Sequence, residues 1–334
     1  MRDPEAMDVI EIGSSDTAFV EAFVGVTNAV NEADSPWNHP DTVPDYTAIL
    51  THGWDGHPNP AFVGVDDGRV VAQGEYHTST YENLDLVWLW VAVHPEHRRR
   101  GYGTAMMEHL LARARAEGKT SAGIDGWEGP RTEAFAARFG FEKKSQAINR
   151  RQTLADVDRD TLRKTYDEAS THAAAYELVR VEGPTPDDLL PAVAEMTAAI
   201  NDAPLDDLEL EDEVFTPERV REIEAATVAR RRRWYRVLAR HRESGELAGH
   251  TVVVVEMDRP AYGHQLDTSV VRAHRGHRLG LVLKADMMFW LADREPALET
   301  IDTWNAESND HMIDVNEALG YRALGRGVQF QRAL

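Results

Sequence analysis

The sequence predicts an α/β (α+β) fold built from two tandem domains, each a mixed, mainly antiparallel sheet flanked by helices. Strand-like and helix-like segments follow one another in the same order in the two halves of the chain. Landmark glycines repeat at nearly one offset, because Gly103 and Gly280 lie 177 residues apart and Gly140 and Gly320 lie 180 apart. A shared offset together with a shared order of elements indicates an internal duplication.

The first half opens with a strand-like run at Asp8–Ile12 and a helix-compatible run at Asp16–Asn31. The turn sequence DDGR between two apolar runs predicts a hairpin over Pro60–Tyr76. The apolar run DLVWLWVAV then leads into HPEHRRRGYGTAMMEHLL, which continues with helical spacing of its apolar residues. A short strand in SAGID, a helix over Pro130–Phe139 and extended chain in FEKKSQAINRRQT complete the order.

The second half repeats this order. YELVRV opens it, helices follow at Thr185–Ala203 and Pro217–Ala229, and WYRVLARHRESGELAGHTVVVVEM predicts a hairpin. HQLDTSVV then leads into RAHRGHRLGLVLKADMMFWL, which again has a helical apolar stripe. We therefore expect an N-terminal domain at 1–155, a linker with a helix at 156–175 and a C-terminal domain at 176–334.

Composition excludes several classes of function. The formal net charge of −21 argues against nucleic acid or an anionic membrane as the main partner. The absence of cysteine excludes disulfides, thiolate metal sites and cysteine nucleophiles. No apolar signal core or membrane-length apolar run is visible, so we expect a cytoplasmic protein.

The segment after DLVWLWVAV has the pattern of an anion site. Closely spaced glycines at Gly101 and Gly103 open a helix, where free N–H groups and the positive end of the helix dipole converge. Three arginines, Arg98–Arg100, add positive charge. The segment is neither a Walker loop, since no G-K-[ST] follows, nor a Rossmann fingerprint, since GYGTAM lacks the third glycine.

This motif resembles the acyl-CoA signature of the GNAT superfamily of acetyltransferases, R/Q-x-x-G-x-G/A, with Arg98, Gly101 and Gly103 at its defined positions. The resemblance covers both halves and implies acetyl-CoA as co-substrate, with its pyrophosphate on backbone N–H groups and no metal. In the second copy, HRGHRLG, Arg275 and Gly280 match but Arg278 replaces the first glycine. The Arg278 side chain either crowds the pyrophosphate or binds its phosphates.

The resemblance also implies which residues contact CoA: the motif residues, N–H groups of the strand before each motif, and asparagines of TWNAESNDHMIDVNEALGY. The predicted set is Val91, Val93, Arg98, Arg99, Arg100, Gly101, Tyr102, Gly103, Thr104, Val270, Val271, Arg275, Arg278, Gly280, Asn305 and Asn309.

Acetyl transfer to an amine requires a base, and the family places it on strands near the thioester. Candidate bases are Asp267, Glu256 and Asp302 in the second half and Glu75 and Asp125 in the first. The tyrosine that usually protonates the leaving thiolate is replaced by Ala136 and Asn316. Because the second half has more polar residues at positions that face CoA in the family, we expect it to be the active half, with Asp267, Asn316 and Asp302 as catalytic residues.

Plainer explanations remain for several features. Asp302 and Asn316 are equally compatible with structural roles, and the tryptophans of VWLW with core packing rather than adenine stacking. The pairs His94/His97 and His274/His277 lack a third local ligand, so we expect no metal, and ARRRRWYR reads as a helix end rather than a nucleic-acid site.

The sequence thus predicts an N-acetyltransferase that moves an acetyl group from acetyl-CoA to the amine of a small molecule by direct attack in a ternary complex. The partners expected are the amine acceptor alone, without nucleic acid or membrane, and either a monomer or a homodimer fits. A non-catalytic acyl-CoA-binding module and a mycothiol-synthase-like acetylation of a thiol-sugar precursor are the alternatives.

Overall fold

The computed structural model describes residues 7–334 and divides them into two compact units. Unit 1 comprises residues 7–147, 205–211 and 325–334, and unit 2 comprises 148–204 and 212–324. In chain order the elements are β1 (Asp8–Ile12), α1 (Thr17–Asp34), α2 (Val43–His52), β2 (Ala61–Asp66), β3 (Arg69–His77), β4 (Leu86–Val93), α3 (Tyr102–Ala116), β5 (Ser121–Trp127), α4 (Pro130–Arg138), β6 (Glu142–Thr153), α5 (Arg159–His172), β7 (Tyr176–Glu182), α6 (Leu190–Thr197), α7 (Pro217–Ala229), β8 (Arg232–His241), β9 (Leu247–Glu256), β10 (Tyr262–Val270), α8 (Leu279–Arg294), β11 (Thr300–Ala306), α9 (Asp310–Ala318) and β12 (Arg322–Ala333).

The sheet of unit 1 has the strand order β1-β2-β3-β4-β5-β12. Its pairs are antiparallel except for β4 and β5, which run parallel from Leu86↔Ser121 to Leu89↔Ile124 and are unpaired beyond that point. One face packs apolar side chains against α3, and the other packs them against α1 and α2. β4 and β5 therefore part within a sheet that has helices on both sides.

The sheet of unit 2 has the order β6-β11-β10-β9-β8-β7, with β10 and β11 parallel from Tyr262↔Thr300 to His264↔Asp302. The register of β10 with β9 shifts between Gln265 and Thr268, which is a β-bulge beside the point where β10 and β11 part. Helices α5 and α8 cover one face, and α6 and α7 cover the other. The predicted fold class is confirmed in both units.

Each unit is closed by a strand from the other half of the sequence. β12 completes unit 1 by pairing with β5 from Gly327↔Trp127 to Ala333↔Ser121. In unit 2, residues 148–153 of β6 lie beside β11, where the Asn149 amide donates to the Thr303 carbonyl at 3.3 Å. The structure thus places the first boundary between the units after Ala147 instead of residue 155, because the rest of β6 hydrogen-bonds within unit 2.

The segment predicted as a linker is an integral part of unit 2. Its helix, α5, buries Leu162 and Ala169 in the same core as α8. The rings of Tyr166 and Phe289 meet edge to face at 5.5 Å, and the Arg163 guanidinium lies 3.9 Å from the Phe289 ring centre. Apolar packing, which the polar composition of this segment obscures, therefore fixes the helix.

Within residues 7–334, no helix is long and apolar enough to cross a membrane.

Candidate active site

The loop between β4 and α3 presents an arc of open backbone donors. Arg99 and Gly101 adopt left-handed conformations, with φ of +65° and +92°, and Gly101 caps the start of α3. The first helical bond runs from the Ala105 N–H to the Gly101 carbonyl at 3.0 Å. In the described part of the chain, the N–H groups of residues 99–104 have no acceptor. Several free donors at a helix N-terminus form an anion site of the kind that the motif predicts.

Arg98 supports this loop from behind. Its Nε donates to the Val93 carbonyl at 3.1 Å, and its terminal nitrogens donate to the Asp34 carboxylate at 3.0 and 2.7 Å. Burial works to raise the pKa of Asp34, but Arg98 and Arg131 together hold that pKa below its ordinary value. The Arg98 guanidinium is thus bonded within the protein, and the predicted contact of Arg98 with CoA stays a prediction.

The neighbouring motif residues are fixed in different ways. Arg100 donates to the Glu96 carbonyl at 3.1 Å, and the buried Tyr102 donates its hydroxyl hydrogen to Asp66. A Cβ at Gly103 would lie 3.3 Å from a Val93 methyl, so a glycine there lets α3 start close to the end of β4.

The loop between β10 and α8 repeats this construction at an offset of 177 residues. Arg275 donates its Nε to the Val270 carbonyl at 3.1 Å and a terminal nitrogen to Asp202 at 2.6 Å. Gly276 and Arg278 have φ of +85° and +55°, so the two left-handed positions are kept. The N–H groups of residues 276–281 likewise lack acceptors among the described residues.

The loop thus keeps the same backbone conformation with Arg278 in place of a glycine, and the Arg278 side chain is exposed. A non-glycine residue in the left-handed conformation lowers the stability of the fold by about 1 kcal/mol, which the contacts of the surrounding loop offset. A Cβ at Gly280 would meet no atom within 4 Å, so space does not require that glycine.

The strands before the loops supply further donors. The His94 N–H donates to Val71 of β3 at 3.0 Å, so by strand alternation the N–H groups of Val91 and Val93 point towards the β5 side. Pairing with β5 has already ended at Leu89, which leaves those two donors open. In unit 2 the Val271 N–H donates to Ala248 at 2.9 Å, so the predicted role of Val271 is wrong, whereas Val270 corresponds to Val93.

Asp125 lies one residue beyond Ile124, the last residue of β5 that pairs with β4. Burial raises the pKa of Asp125 to about 6, although hydrogen bonds from the side chains of Trp90 and Trp88 oppose the rise. A carboxylate with a pKa near neutrality is suited to general base catalysis.

A second carboxylate lies on the same sheet face. Glu75 accepts from the Tyr46 hydroxyl at 3.0 Å and contacts the His77 Nε2 at 2.6 Å. The His77 ring packs against Trp90 with centroids 4.2 Å apart. The core of β4 is formed instead by Val87 and Leu89, so the tryptophans of VWLW lie outside the buried core.

The carboxylates predicted as bases in unit 2 are mostly engaged. Arg151 binds both oxygens of Asp302, at 2.6 and 2.7 Å, which makes Asp302 an ion-pair partner rather than a free base. Burial works to raise the pKa of Glu256, but His264 and Arg259 lower it to about 2. Burial raises the pKa of Asp267, against an opposing effect of Arg236, so Asp267 alone keeps the property that its prediction requires.

The predicted asparagines hold one another and the backbone. Asn316 is fully buried and donates to the Asn305 Oδ1 at 2.6 Å. The Asn309 Oδ1 accepts from the Met312 N–H at 3.3 Å and so caps α9. These bonds favour structural roles for Asn309 and Asn316 over the predicted contacts with CoA and catalysis.

Sequence reasoning missed a buried polar cluster on the α6/α7 side of unit 2. Arg236 and Glu224 form a buried ion pair at 2.8 Å. His250, which is 1% exposed, has no partner for either ring nitrogen within residues 7–334, and burial together with Arg236 lowers its pKa to about 3. His250 lies beside Ser269 in register, where long-range pairing and not local sequence brings them together.

Among residues 7–334, no three histidine, aspartate or glutamate side chains lie together in a way that could hold a metal ion.

Comparison with known proteins agrees with this geometry. Residues 27–141 match the acetyltransferase (GNAT) family. Mycothiol acetyltransferase from Parafrankia sp. (strain EAN1pec) is 32% identical over 107 residues, which is 30% of this chain and 30% of that protein. The match therefore spans less than a third of that relative's length.

Solved structures match over nearly the whole chain. A tandem GNAT protein from the clavulanic acid biosynthesis pathway, solved without AcCoA, is 26% identical with a TM-score of 0.81 over 98% of both chains. A GCN5-related N-acetyltransferase from Sphaerobacter thermophilus shares the fold, with 16% identity and a TM-score of 0.69 over 100% of this chain and 96% of that one.

The fold and the two loops are thus similar to those of tandem GNAT proteins. Residues 27–141 match the GNAT acetyltransferase family, and the whole chain shares the architecture of a solved tandem GNAT protein. These matches support acetyl transfer as the class of reaction.

Proposed function

We propose that the protein transfers an acetyl group from acetyl-CoA to the amine of a small molecule, and that unit 1 carries out the chemistry. The observation that carries the proposal is the position of Asp125, a carboxylate with a pKa of about 6 at the parting of β4 and β5. This assignment departs from the expectation of an active second half, because Asp302 and Glu256 there are held in ion pairs and only Asp267 is left of its three candidate bases.

The residues of unit 1 account for each requirement of direct transfer. The N–H arc of residues 99–104 receives the pyrophosphate of acetyl-CoA, and the open donors of Val91 and Val93 lie where a thioester carbonyl can be polarised. Asp125 takes a proton from the acceptor ammonium, and the amine nitrogen then attacks the carbonyl carbon. The carbon–sulfur bond breaks, and the departing thiolate takes up a proton from Asp125 or from water.

One observation favours a non-catalytic acyl-CoA-binding module instead. Ala136 occupies the position of the usual tyrosine acid, and it is fully buried. A thiolate with an ordinary pKa near 8.5 is nevertheless a good leaving group without such an acid, so the missing tyrosine slows the reaction more than it prevents it.

The test combines acetyl-CoA binding with thiol release. Calorimetric titration is expected to detect binding of acetyl-CoA to the unaltered protein. Gly101→Trp is expected to abolish the binding at unit 1. Release of CoA is then measured with a panel of primary amines for the unaltered protein and for Asp125→Asn. Amine-dependent release that Asp125→Asn abolishes supports the proposal, whereas binding without release for every amine supports the binding module.

A further inference from the structure

The face of unit 1 that carries Asp125 has an unusual composition. Strand register places His77 beside Trp88, Glu75 beside Trp90, and Trp88 beside Gly123. Asp125 follows Gly123 by two residues and so points to the same side of the sheet. We call His77, Glu75, Trp88, Trp90 and Asp125 the acidic–aromatic face.

This face is partly open, unlike the other side of the same strands. All five of its residues are partly exposed, whereas Tyr76, Val87, Leu89, Ala122 and Ile124 on the opposite side are buried. Apolar packing therefore does not explain two tryptophans at these positions. Glycine at 123 leaves room for the Trp88 ring, because a Cβ there would overlap it.

Contacts within the face fix its groups in place. Glu75 is held between the Tyr46 hydroxyl and His77. The indole centroids of Trp88 and Trp90 lie 6.5 Å apart, and both side chains hydrogen-bond to Asp125. The face thus offers two carboxylates and two large π-systems in a preorganised arrangement.

This chemistry selects a cation. Carboxylates attract an ammonium or guanidinium group, and aromatic faces add roughly 0.5–2 kcal/mol of cation–π attraction. An acceptor bearing a carboxylate or phosphate would be repelled by Glu75 and Asp125. Asp125 acts on the reacting amine, so Glu75 and the indoles remain for a second charge.

We infer that the acceptor of unit 1 is a dication: an amine that is acetylated beside Asp125 and a second ammonium or guanidinium group bound by Glu75, Trp88 and Trp90. This inference rests on the proposed function and names its substrate class. It involves no bond changes beyond those of the acetyl transfer itself.

The experiment compares acceptors that differ only in the second charge. With acetyl-CoA present, kcat/KM for CoA release is measured for 1,4-diaminobutane and for n-butylamine. We expect a preference of about tenfold or more for the diamine, which corresponds to a difference of 1.4 kcal/mol. Glu75→Gln is expected to reduce that preference mainly through KM, while Glu142→Gln, the same charge change on an exposed side chain, leaves it intact.

A binding measurement separates this inference from the proposed function. Tetramethylammonium, which cannot be acetylated, is titrated without acetyl-CoA while tryptophan fluorescence is recorded, and Glu75→Gln is expected to weaken its binding about tenfold. Equal turnover of both amines, or tetramethylammonium binding that Glu75→Gln does not change, overturns the inference and leaves acetyl transfer standing. Glu75-dependent binding of tetramethylammonium without CoA release from any amine supports the cation site and overturns the transferase proposal.

Discussion

The Asp34 carboxylate binds both terminal nitrogens of Arg98, and this pair ties the loop after β4 to the end of α1. Unit 2 repeats the arrangement with Arg275 and Asp202. Because Asp34 and Asp202 hold these arginines without belonging to the loops, they are the cleaner positions to alter.

Asp34→Asn should weaken acetyl-CoA binding at unit 1 by about tenfold, because the loop loses the anchor that keeps its N–H groups convergent. Calorimetric titration measures the effect, with Asp202→Asn as the matched change in unit 2. If Asp34→Asn leaves every acetyl-CoA affinity unchanged, the anchor has no role in binding.

Asp125→Asn should abolish turnover and stabilise the fold at neutral pH. The folded-state pKa of Asp125, about 6, lies above its ordinary value of 3.8, so ionisation opposes folding above pH 6 and this penalty disappears as pH falls towards 3.8. Removing the charge should raise the free energy of unfolding at pH 7.5 by about 1–2 kcal/mol. Urea unfolding measures this gain, and a loss of stability would show that the carboxylate is structural.

The pH dependence of catalysis should follow the same group. kcat for the unaltered protein should fall about tenfold for each pH unit below about 6, because a protonated carboxyl cannot accept the acceptor's proton. A rate profile that is flat between pH 5 and 7.5 would assign the base to another group.

Arg278→Gly should stabilise unit 2 by up to about 1 kcal/mol, since glycine adopts the left-handed conformation without strain. Gly101→Ala, the reverse change in unit 1, should destabilise by a similar amount. Thermal unfolding compares them, and acetyl-CoA titration of Arg278→Gly distinguishes the two roles left open for this side chain. Weaker binding indicates that the guanidinium contacts phosphate, and stronger binding that it crowds the ligand.

Arg151→Ala should destabilise unit 2 by about 2 kcal/mol, because it leaves the partly buried Asp302 carboxylate without its bidentate partner. Asp302→Asn, by contrast, should leave kcat unchanged when measured with a substrate-saturated enzyme. A large fall in kcat for a stably folded Asp302→Asn protein would restore the catalytic role that the sequence suggested.

His250 should make unit 2 sensitive to acid. Its pKa of about 3 in the folded state lies below the ordinary 6.5, so between these values the unfolded chain takes up a proton that the folded chain does not. Stability should then fall by about 1.4 kcal/mol per pH unit below about 6, and His250→Gln should flatten that slope between pH 6 and 4. Equal slopes for the two proteins would show that other groups dominate.

Local patterns in the sequence were sufficient to predict the fold class, the duplication and the position of the two glycine-containing loops. Glycine spacing and the start of an apolar helix are properties of neighbouring residues, and Arg98 and Arg275 repeat with them. The partners of a carboxylate, by contrast, come from residues that are distant in the sequence. Asp302 is neutralised by Arg151, 151 residues away, so no nearby residue reveals that it is occupied.

The candidate site was predicted only in part for a similar reason. Alternation along β4 correctly divides its residues between two faces, but it does not say which face is the core. The burial of Val87 and Leu89 decides this, and it turns Trp88 and Trp90 towards Asp125. Once the tryptophans are on that side, Glu75 and Asp125 become the prominent carboxylates, although the sequence favoured unit 2.

The placement of β12 has a consequence for biosynthesis. Unit 1 lacks the neighbour of β5 until residues 325–334 have left the ribosome, so its sheet cannot close before residues 212–324 of unit 2 have been translated. Through that interval β5 presents an unpaired edge, and the nascent chain must keep it from other strands. A gene truncated between the two repeats would therefore encode a product with an open sheet rather than a smaller working enzyme.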